Sequence, residues 1–227
     1  MGTGAPGSWQ SSDYTAAWAA EDVMAPVLEL PRQISAAVVA DIGIEVRHVV
    51  DLGSGPGSYL GYMLEMFPEA KGTWVDGSPA MLEMARSELA LIADRITFVV
   101  AELEELDAGA IEPADVVVSS RALHHLTPGS LAAVYRVIAT LLRPGGLVFN
   151  LDHVGSPEDY WDGTYRRLRE QFIGRRRKRL EAHRPDGPLP PAEIHLESMT
   201  AAGLLHADVP WRLLMTALLA AQKPELP

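Results

Sequence analysis

Five short runs rich in valine, isoleucine and leucine punctuate this chain of 227 residues, each reached through a helical stretch or a connector. They are HVVDLG (48–53), GTWVDG (72–77), ITFVVAE (96–102), ADVVVSS (114–120) and LVFNLDHV (147–154). Runs this short and this β-branched are strands, not helices. Strands with near-continuous apolar residues are buried on both faces, which implies a parallel sheet covered by helices on each side.

The segments between them carry helix signals. SYLGYMLEMF (58–67) places Leu60, Met63, Leu64 and Phe67 on one face. SPAMLEMARSELALIAD (78–94) starts with Ser78 as N-cap and Pro79 at the first helical position. Thr127-Pro128 opens another helix, which closes at Pro144-Gly145-Gly146. Upstream, Tyr14 to about Ala40 reads as helix broken near Pro26 and Pro31. Downstream, Ser156-Pro157 starts a helix on which Trp161, Tyr165, Leu168 and Phe172 share one side. PPAEIHLESMTAAGL (190–204) is a further helix, and ADVPWRLLMTALLAAQK (207–223) reads as two closing strands. Pro210 suits an edge or an irregular start for the first of these.

Composition narrows the class. A formal charge of −11 argues against a general nucleic-acid binder, which carries a basic excess. With no cysteine, disulfides, zinc-thiolate sites and thiol nucleophiles are excluded. No basic residue precedes Arg32 and no apolar core follows the first residues, so a secretory signal is not expected. No apolar run reaches the roughly 20 residues of a membrane span. The expectation is a cytoplasmic protein, monomer or homodimer.

The first strand ends in Asp51 and then breaks into Gly53, Gly55 and Gly57. In an open α/β sheet, ligands bind at the carboxyl ends of the strands, and glycines there let backbone approach closely. The helix that follows presents N–H groups and a partial positive charge. Asp76 ends the second strand 23 residues after Gly53, near the spacing at which an acid grips ribose hydroxyls. Together these features point to a nucleoside-containing cofactor. A dinucleotide loop prefers glycine or alanine where Ser58 stands, so a nicotinamide reductase fits least well.

The Gly-x-Gly-x-Gly arrangement behind Asp51 resembles the class I S-adenosylmethionine-dependent methyltransferases. VVDLGSGPG looks like their first motif and WVDGSPAML like their second. FVVAELEEL resembles the third, ADVVVSSRALHHL the fourth, and LLRPGGLVFN the entry to strand five. The resemblance spans about residues 45–153 in motif order. It implies a Rossmann-like, doubly wound α/β fold: seven mostly parallel strands, an antiparallel C-terminal hairpin and a helical cap. Residues 1–44 would form an N-terminal helical lid and 45–227 the methyltransferase domain, with a cap insertion at about 155–203.

Site roles follow from the resemblance. Asp51, with Gly53, Ser54, Gly55 and Gly57, would hold the methionine end of S-adenosylmethionine. Asp76 and Gly77 would meet the ribose. Met81 would pack on adenine or serve as helix core, and Glu102 and Leu103 would close the adenine pocket. Many relatives have aspartate where Glu102 stands. Ser119 would lie under the sulfonium. S-adenosylhomocysteine would be the product.

Methyl transfer from a sulfonium is an in-line displacement, so the protein chiefly aligns the reactants and excludes water. A base is needed only where the acceptor must lose a proton, and histidine suits that near neutral pH. His124 and Asp152 are the candidate catalytic pair. Alternatively, His124 fixes the loop before Thr127 and Asp152 caps a helix. Arg121 and His125 face the acceptor in this reading, and Arg121 could anchor a carboxylate or point to solvent. Tyr14 and Trp18 would contribute from the lid.

The stretch 165–184 holds nine of the chain's 19 lysines and arginines. It forms either a cationic cap attracting an anionic acceptor or a solvated face pairing with the protein's own carboxylates. The activity implied is methylation of a small molecule at O, N or C, without a metal, since no carboxylate cluster marks a magnesium site. The alternatives are non-methylating use of S-adenosylmethionine, by cyclisation or elimination, and a cofactor-binding protein without catalysis.

Overall fold

The computed structural model describes residues 25–156, 159–172 and 188–225, together with Thr15. Helix α1 (Ala25–Ile42) leads into β1 (His48–Leu52), α2 (Ser58–Met66), β2 (Lys71–Asp76), α3 (Pro79–Glu88) and β3 (Ile96–Val100). Then follow β4 (Ala114–Ser120), α4 (Pro128–Leu141), β5 (Leu142–His153), α5 (Asp159–Phe172), α6 (Ala192–Ala201), β6 (Leu205–Leu213) and β7 (Thr216–Gln222). The seven strands lie in the order β3-β2-β1-β4-β5-β7-β6. β1 to β5 are parallel, whereas β7 runs antiparallel to both β5 and β6. The chain turns back between β1 and β4, so the carboxyl ends of those two strands flank the crevice where such sheets bind ligands.

Burial explains the near-continuous apolar runs. Val49, Val50, Leu52 and Val116 to Val118 are all fully buried. On one face Val49, Trp74, Val116 and Phe149 pack against α1, α2 and α3. On the other, Val50, Val75, Val117 and Val148 pack against α4 and α6. Two of the three Ser/Thr-Pro starts form as the sequence predicts, and Pro157 of the third lies outside the described residues. Ser78 Oγ accepts from the Met81 N–H at 3.2 Å, and Thr127 Oγ1 accepts from the Ser130 N–H at 3.2 Å. Pro210 does lie on an edge strand, and β6 pairs irregularly with β7.

Four expectations about elements need correction. α1 is not broken at Pro31 but runs through it. The missing proline N–H and ring crowding cost about 3 kcal/mol in a helix. Burying Leu28 and Val39 on the same helix contributes about 2 kcal/mol each, which outweighs that cost. α3 stops at Glu88 and tightens into a 3₁₀ turn, Ala90–Arg95, before β3. Pro144-Gly145-Gly146 does not precede β5 but bulges its first half: Leu142 pairs with Ala114 and Leu147 with Val116. The apolar stripe of α5 is only partly covered: Trp161 is 45% exposed, and Tyr165 and Leu168 are half-buried. No helix among the described residues is long and apolar enough to cross a membrane.

Candidate active site

The crevice begins at the tip of β1. Asp51 is buried, and its Oδ2 accepts from the Ser54 hydroxyl at 2.7 Å and the Leu60 N–H at 3.1 Å. Its Oδ1 is buried without a hydrogen-bond partner. Desolvation pushes this carboxyl up from 3.8 to about 7, against the opposing pull of Ser54, Leu60 and Arg32. A buried acceptor held near its own midpoint is a group awaiting a positively charged or hydrogen-bonding partner.

The three glycines have three different reasons. All have positive φ: 67° at Gly53, 54° at Gly55 and 85° at Gly57. A Cβ at Gly53 would collide with the Ala122 side chain, so this position lets the β4 exit loop close over the β1 turn. A Cβ at Gly57 would come within 2.5 Å of Leu89 Cδ1, so that glycine serves packing between α2 and α3. Only Gly55 is open, its nearest neighbour being Met81 Sδ at 3.9 Å from such a Cβ. The loop's N–H groups are also largely committed. Those of Gly53 and Ser54 donate to the Val75 carbonyl, and that of Gly57 to the Ser54 carbonyl.

Asp76, at the tip of β2, ties the two ligand loops together. Its Oδ2 accepts from the Gly55 N–H and its Oδ1 from the Ser78 N–H, each at 2.9 Å. Burial raises its pKa, those two N–H groups lower it, and neighbouring Glu102 raises it again. Each carboxylate oxygen keeps a further acceptor position, the valence that a vicinal diol requires. Glu102 is exposed and lies across Gly77, where a Cβ would meet Oε1 at 2.5 Å. Leu103 lies beside Gly53. Met81 is 3% exposed and belongs to the core beside Gly55. The Ser119 hydroxyl donates to the Leu52 carbonyl at 2.7 Å, which pins β4 to β1 at the switch point.

The carboxyl ends of β4 and β5 carry a second cluster. Asp152 Oδ2 accepts from the His124 N–H at 2.9 Å, and Oδ1 lies 2.6 Å from His124 Nδ1. Burial would raise the Asp152 pKa, but the charge and hydrogen bond of His124, then His153 and His195, bring it well below the carboxylate range. An ionised Asp152 only accepts, so His124 Nδ1 is the donor in this contact. The His125 and His153 rings stand 4.0 and 5.1 Å from the His124 ring, His125 on the exposed side. Desolvation holds half-buried His153 well below 6.5, and His124, Arg121 and Arg169 lower it further. Arg121 takes a left-handed backbone, φ 54°, and its N–H donates to the Leu151 carbonyl at 3.0 Å. Two arginines, one at the β4 exit and one on α5, therefore act electrostatically on one histidine at the rim. Tyr14 and Trp18 lie outside the described residues, as do 173–187 of the basic stretch.

Residues 49–146 match a family described as a methyltransferase domain. The matched stretch is a methyltransferase domain. It is 31% identical over 144 residues to a trans-aconitate 2-methyltransferase of Azoarcus sp. strain BH72, an alignment covering 63% of this chain and 52% of that protein. It is 29% identical over 228 residues to one from Streptomyces avermitilis, covering 96% of this chain and 77% of that protein. The chain thus spans about half the length of several curated relatives that it matches. Its fold is that of an O-methyltransferase family protein from Burkholderia thailandensis: TM-score 0.70, 23% identity, 93% of this chain and 60% of that one.

Several groups in the methyltransferase domain's crevice escape sequence reasoning. Arg32 on α1 stands near Asp51, although 19 residues separate them. Arg169 looks like one member of a solvated basic stretch. Behind Asp152, Asn150 Nδ2 donates to Tyr135 Oη at 3.0 Å, and that hydroxyl meets His195 Nδ1 at 2.9 Å. Asn150 Oδ1 and His195 Nε2 are buried without partners. The signal for such a cluster is polar residues at positions where helix and strand periodicity demand apolar ones.

Proposed function

We propose that this chain is an S-adenosylmethionine-dependent methyltransferase acting on a small anionic acceptor. The observation that carries the reading is the pairing of Asp76, bridging the two loops, with the buried and unpartnered Oδ1 of Asp51. The residues fit the cofactor: Asp51 faces an ammonium, Asp76 a ribose diol, and Gly55 leaves the loop open to close approach. When bound, S-adenosylmethionine supplies a methyl group activated by the sulfonium, and S-adenosylhomocysteine is the product. The chain's own contribution is to bind, to align the acceptor oxygen behind the methyl carbon and to exclude water.

Arg121 and Arg169 support an anionic acceptor, because both act on His153 at the rim. The relatives named trans-aconitate 2-methyltransferase point the same way. The N-terminal lid and the 155–203 insertion cover the acceptor in this reading. Arg169 on α5 is the described residue that supports it. A carboxylate acceptor is already ionised and needs no base. His124 and Asp152 then shape the rim.

A second reading is favoured by the 2.6 Å contact between His124 Nδ1 and Asp152 Oδ1. That pairing orients a base for a hydroxyl or amine acceptor that must lose a proton. The test is a panel of di- and tricarboxylic acids, phenols and amines incubated with S-adenosylmethionine, read by product mass. A mass gain of one methyl on a carboxylic acid supports the first reading. A cyclised or eliminated product, or no turnover on any acceptor, overturns it.

A further inference from the structure

Two residues of β5, Asn150 and Asp152, project from the same face of the sheet, about 7 Å apart along the strand. That face is otherwise aliphatic, packed with Val117, Leu131, Val148 and Met199. Both polar side chains are fully buried, as is His195 in the first turn of α6. The fold brings α6 there by closing the base of the insertion. The Gly155 N–H, just past β5, donates to the Pro190 carbonyl at 2.9 Å, directly ahead of α6.

The hydrogen bonds of this cluster fix the proton on His195. An amide NH2 only donates, so Asn150 Nδ2 gives one hydrogen to Tyr135 Oη at 3.0 Å and directs the other at His195 Nδ1, 3.4 Å away. The Tyr135 hydroxyl, already accepting from Asn150, donates its own proton to the same Nδ1 at 2.9 Å. Nδ1 is therefore an acceptor. Burial holds this ring below its ordinary pKa and so neutral, and its one hydrogen is on Nε2. Two complementary orphans result. His195 Nε2 is a donor and Asn150 Oδ1 an acceptor, each buried with no partner among the described residues. A third polar position lies on the same strand face. Asp152 Oδ1 accepts from His124 Nδ1 and the His153 N–H, whereas Oδ2 accepts from the His124 N–H. A carboxylate oxygen takes two donors, so Oδ2 keeps one acceptor place.

One donor and two acceptor places in an apolar layer suit a single internal water, which accepts once, donates twice and so makes the usual three bonds. Left unmet, each of these groups would carry the full penalty of its desolvation. We propose that His195 is a positioning residue: with Asn150 Oδ1 and Asp152 Oδ2 its Nε2–H holds one internal water, and that water fixes the carboxylate that orients the His124 ring. Tyr135 supports it by occupying Nδ1, which sets the tautomer. The inference goes beyond the cofactor and acceptor readings and depends on neither, since it concerns only how the His124–Asp152 contact is held.

A high-resolution crystal structure of the full chain should show a water within hydrogen-bond distance of all three atoms. Density without a water there would overturn the proposal. Nitrogen NMR of the His124 ring reads the consequence. Its Nδ1 proton, in a contact of 2.6 Å, should resonate far downfield and exchange slowly. His195→Gln sets an amide N–H where Nε2–H stood and should leave that exchange rate within about twofold. His195→Asn keeps an acceptor for Tyr135 but withdraws the donor, and should speed exchange at least about tenfold. A packing role would not produce that order, because asparagine preserves the link to α4. Equal loss in both variants, no change in either, or the reverse order would overturn the water link. Should the variants not fold, the density in the wild-type chain decides alone.

Discussion

Asp51 makes the empty protein less stable than it need be, and the amount can be worked out. Its carboxyl titrates at about 7 in the folded chain against 3.8 for an unburdened aspartate. A group whose pKa is raised by folding holds its proton more tightly when folded. Stability is therefore unaffected below pH 3.8 and falls as pH climbs from there to 7. Above pH 7 the difference of about 3 pKa units amounts to about 4 kcal/mol at about 1.4 kcal/mol per unit. Asp51→Asn removes that ionisation. Its amide oxygen can keep both hydrogen bonds that Oδ2 accepts, but its NH2 takes the place of the partnerless Oδ1 as a buried donor, a cost of about 1–2 kcal/mol. The variant should be about 2–3 kcal/mol more stable than wild type at pH 8 and less stable at pH 4. The assay is urea unfolding of both proteins at the two pH values. A substitution that destabilises by the same amount at both would refute the reasoning. The same carboxyl predicts linkage: at pH 7 about half of the empty chains carry its proton, so capture of an ammonium should release about 0.5 proton. Calorimetry in two buffers of different ionisation enthalpy counts it, and Asp51→Asn should abolish it.

Other perturbations have equally specific outcomes. Asp76→Ala should weaken S-adenosylhomocysteine at least 30-fold, about 2 kcal/mol, with an unchanged circular dichroism spectrum; unchanged affinity by calorimetry would remove the basis for the cofactor. Gly57→Ala should lower stability by about 2 kcal/mol through its left-handed backbone and the contact with Leu89. In a Leu89→Ala background the contact share should vanish, and strict additivity in the double-mutant cycle would contradict the packing role. His124→Asn should slow methylation of a hydroxyl or amine about 100-fold or more but a carboxylic acid less than tenfold, with cofactor affinity unchanged in each case. His153 and His195 have pKa values lowered by folding, so the unfolded chain takes up protons first as pH drops below 6.5. Stability should decline from there toward pH 5, more steeply in Asp51→Asn, and a flat urea midpoint over that range in the variant would count against neutral buried imidazoles.

The sheet is legible in the sequence because its signal is local. A β-branched run such as ADVVVSS has one sensible conformation, and its depth follows from the absence of polar alternation. Helix starts at Ser78-Pro79 and Thr127-Pro128 are legible for the same reason: cap, ring and first turn adjoin. The tip of β1 is legible only as a pattern. Gly53, Gly55 and Gly57 look equivalent in sequence, yet one makes room for Ala122, one for Leu89, and one is open. Which is which depends on side chains more than 30 residues away, whose positions exist only once the sheet has closed. Pro31 misleads because helix propensity is weighed against a tertiary face that no local window contains.

The same argument explains why cations are the hardest part of the site to read. A carboxylate at a strand tip is tied to its place by the strand, so Asp51 and Asp76 stand out from their neighbours. An arginine reaches its target through a long side chain from an element that passes nearby, so its sequence position says little about the atom it meets. Arg32 reaches the β1 tip from α1, and Arg169 acts on His153 from α5, while Arg166 on the same helix pairs with Asp162 at 2.7 Å. One turn of α5 thus carries a solvated ion pair, while the next supplies a charge that acts on the rim. The basic stretch is not one feature but two. Arg169 lies nearly one full turn beyond Arg166, so the two share a side of the helix and differ in the turn they occupy. Charge reversal at Arg166 should accordingly leave acceptor affinity within about twofold, while Arg169→Gln should raise the acceptor's KM about tenfold without changing cofactor affinity. A matching response at both positions would return the whole stretch to a general field effect.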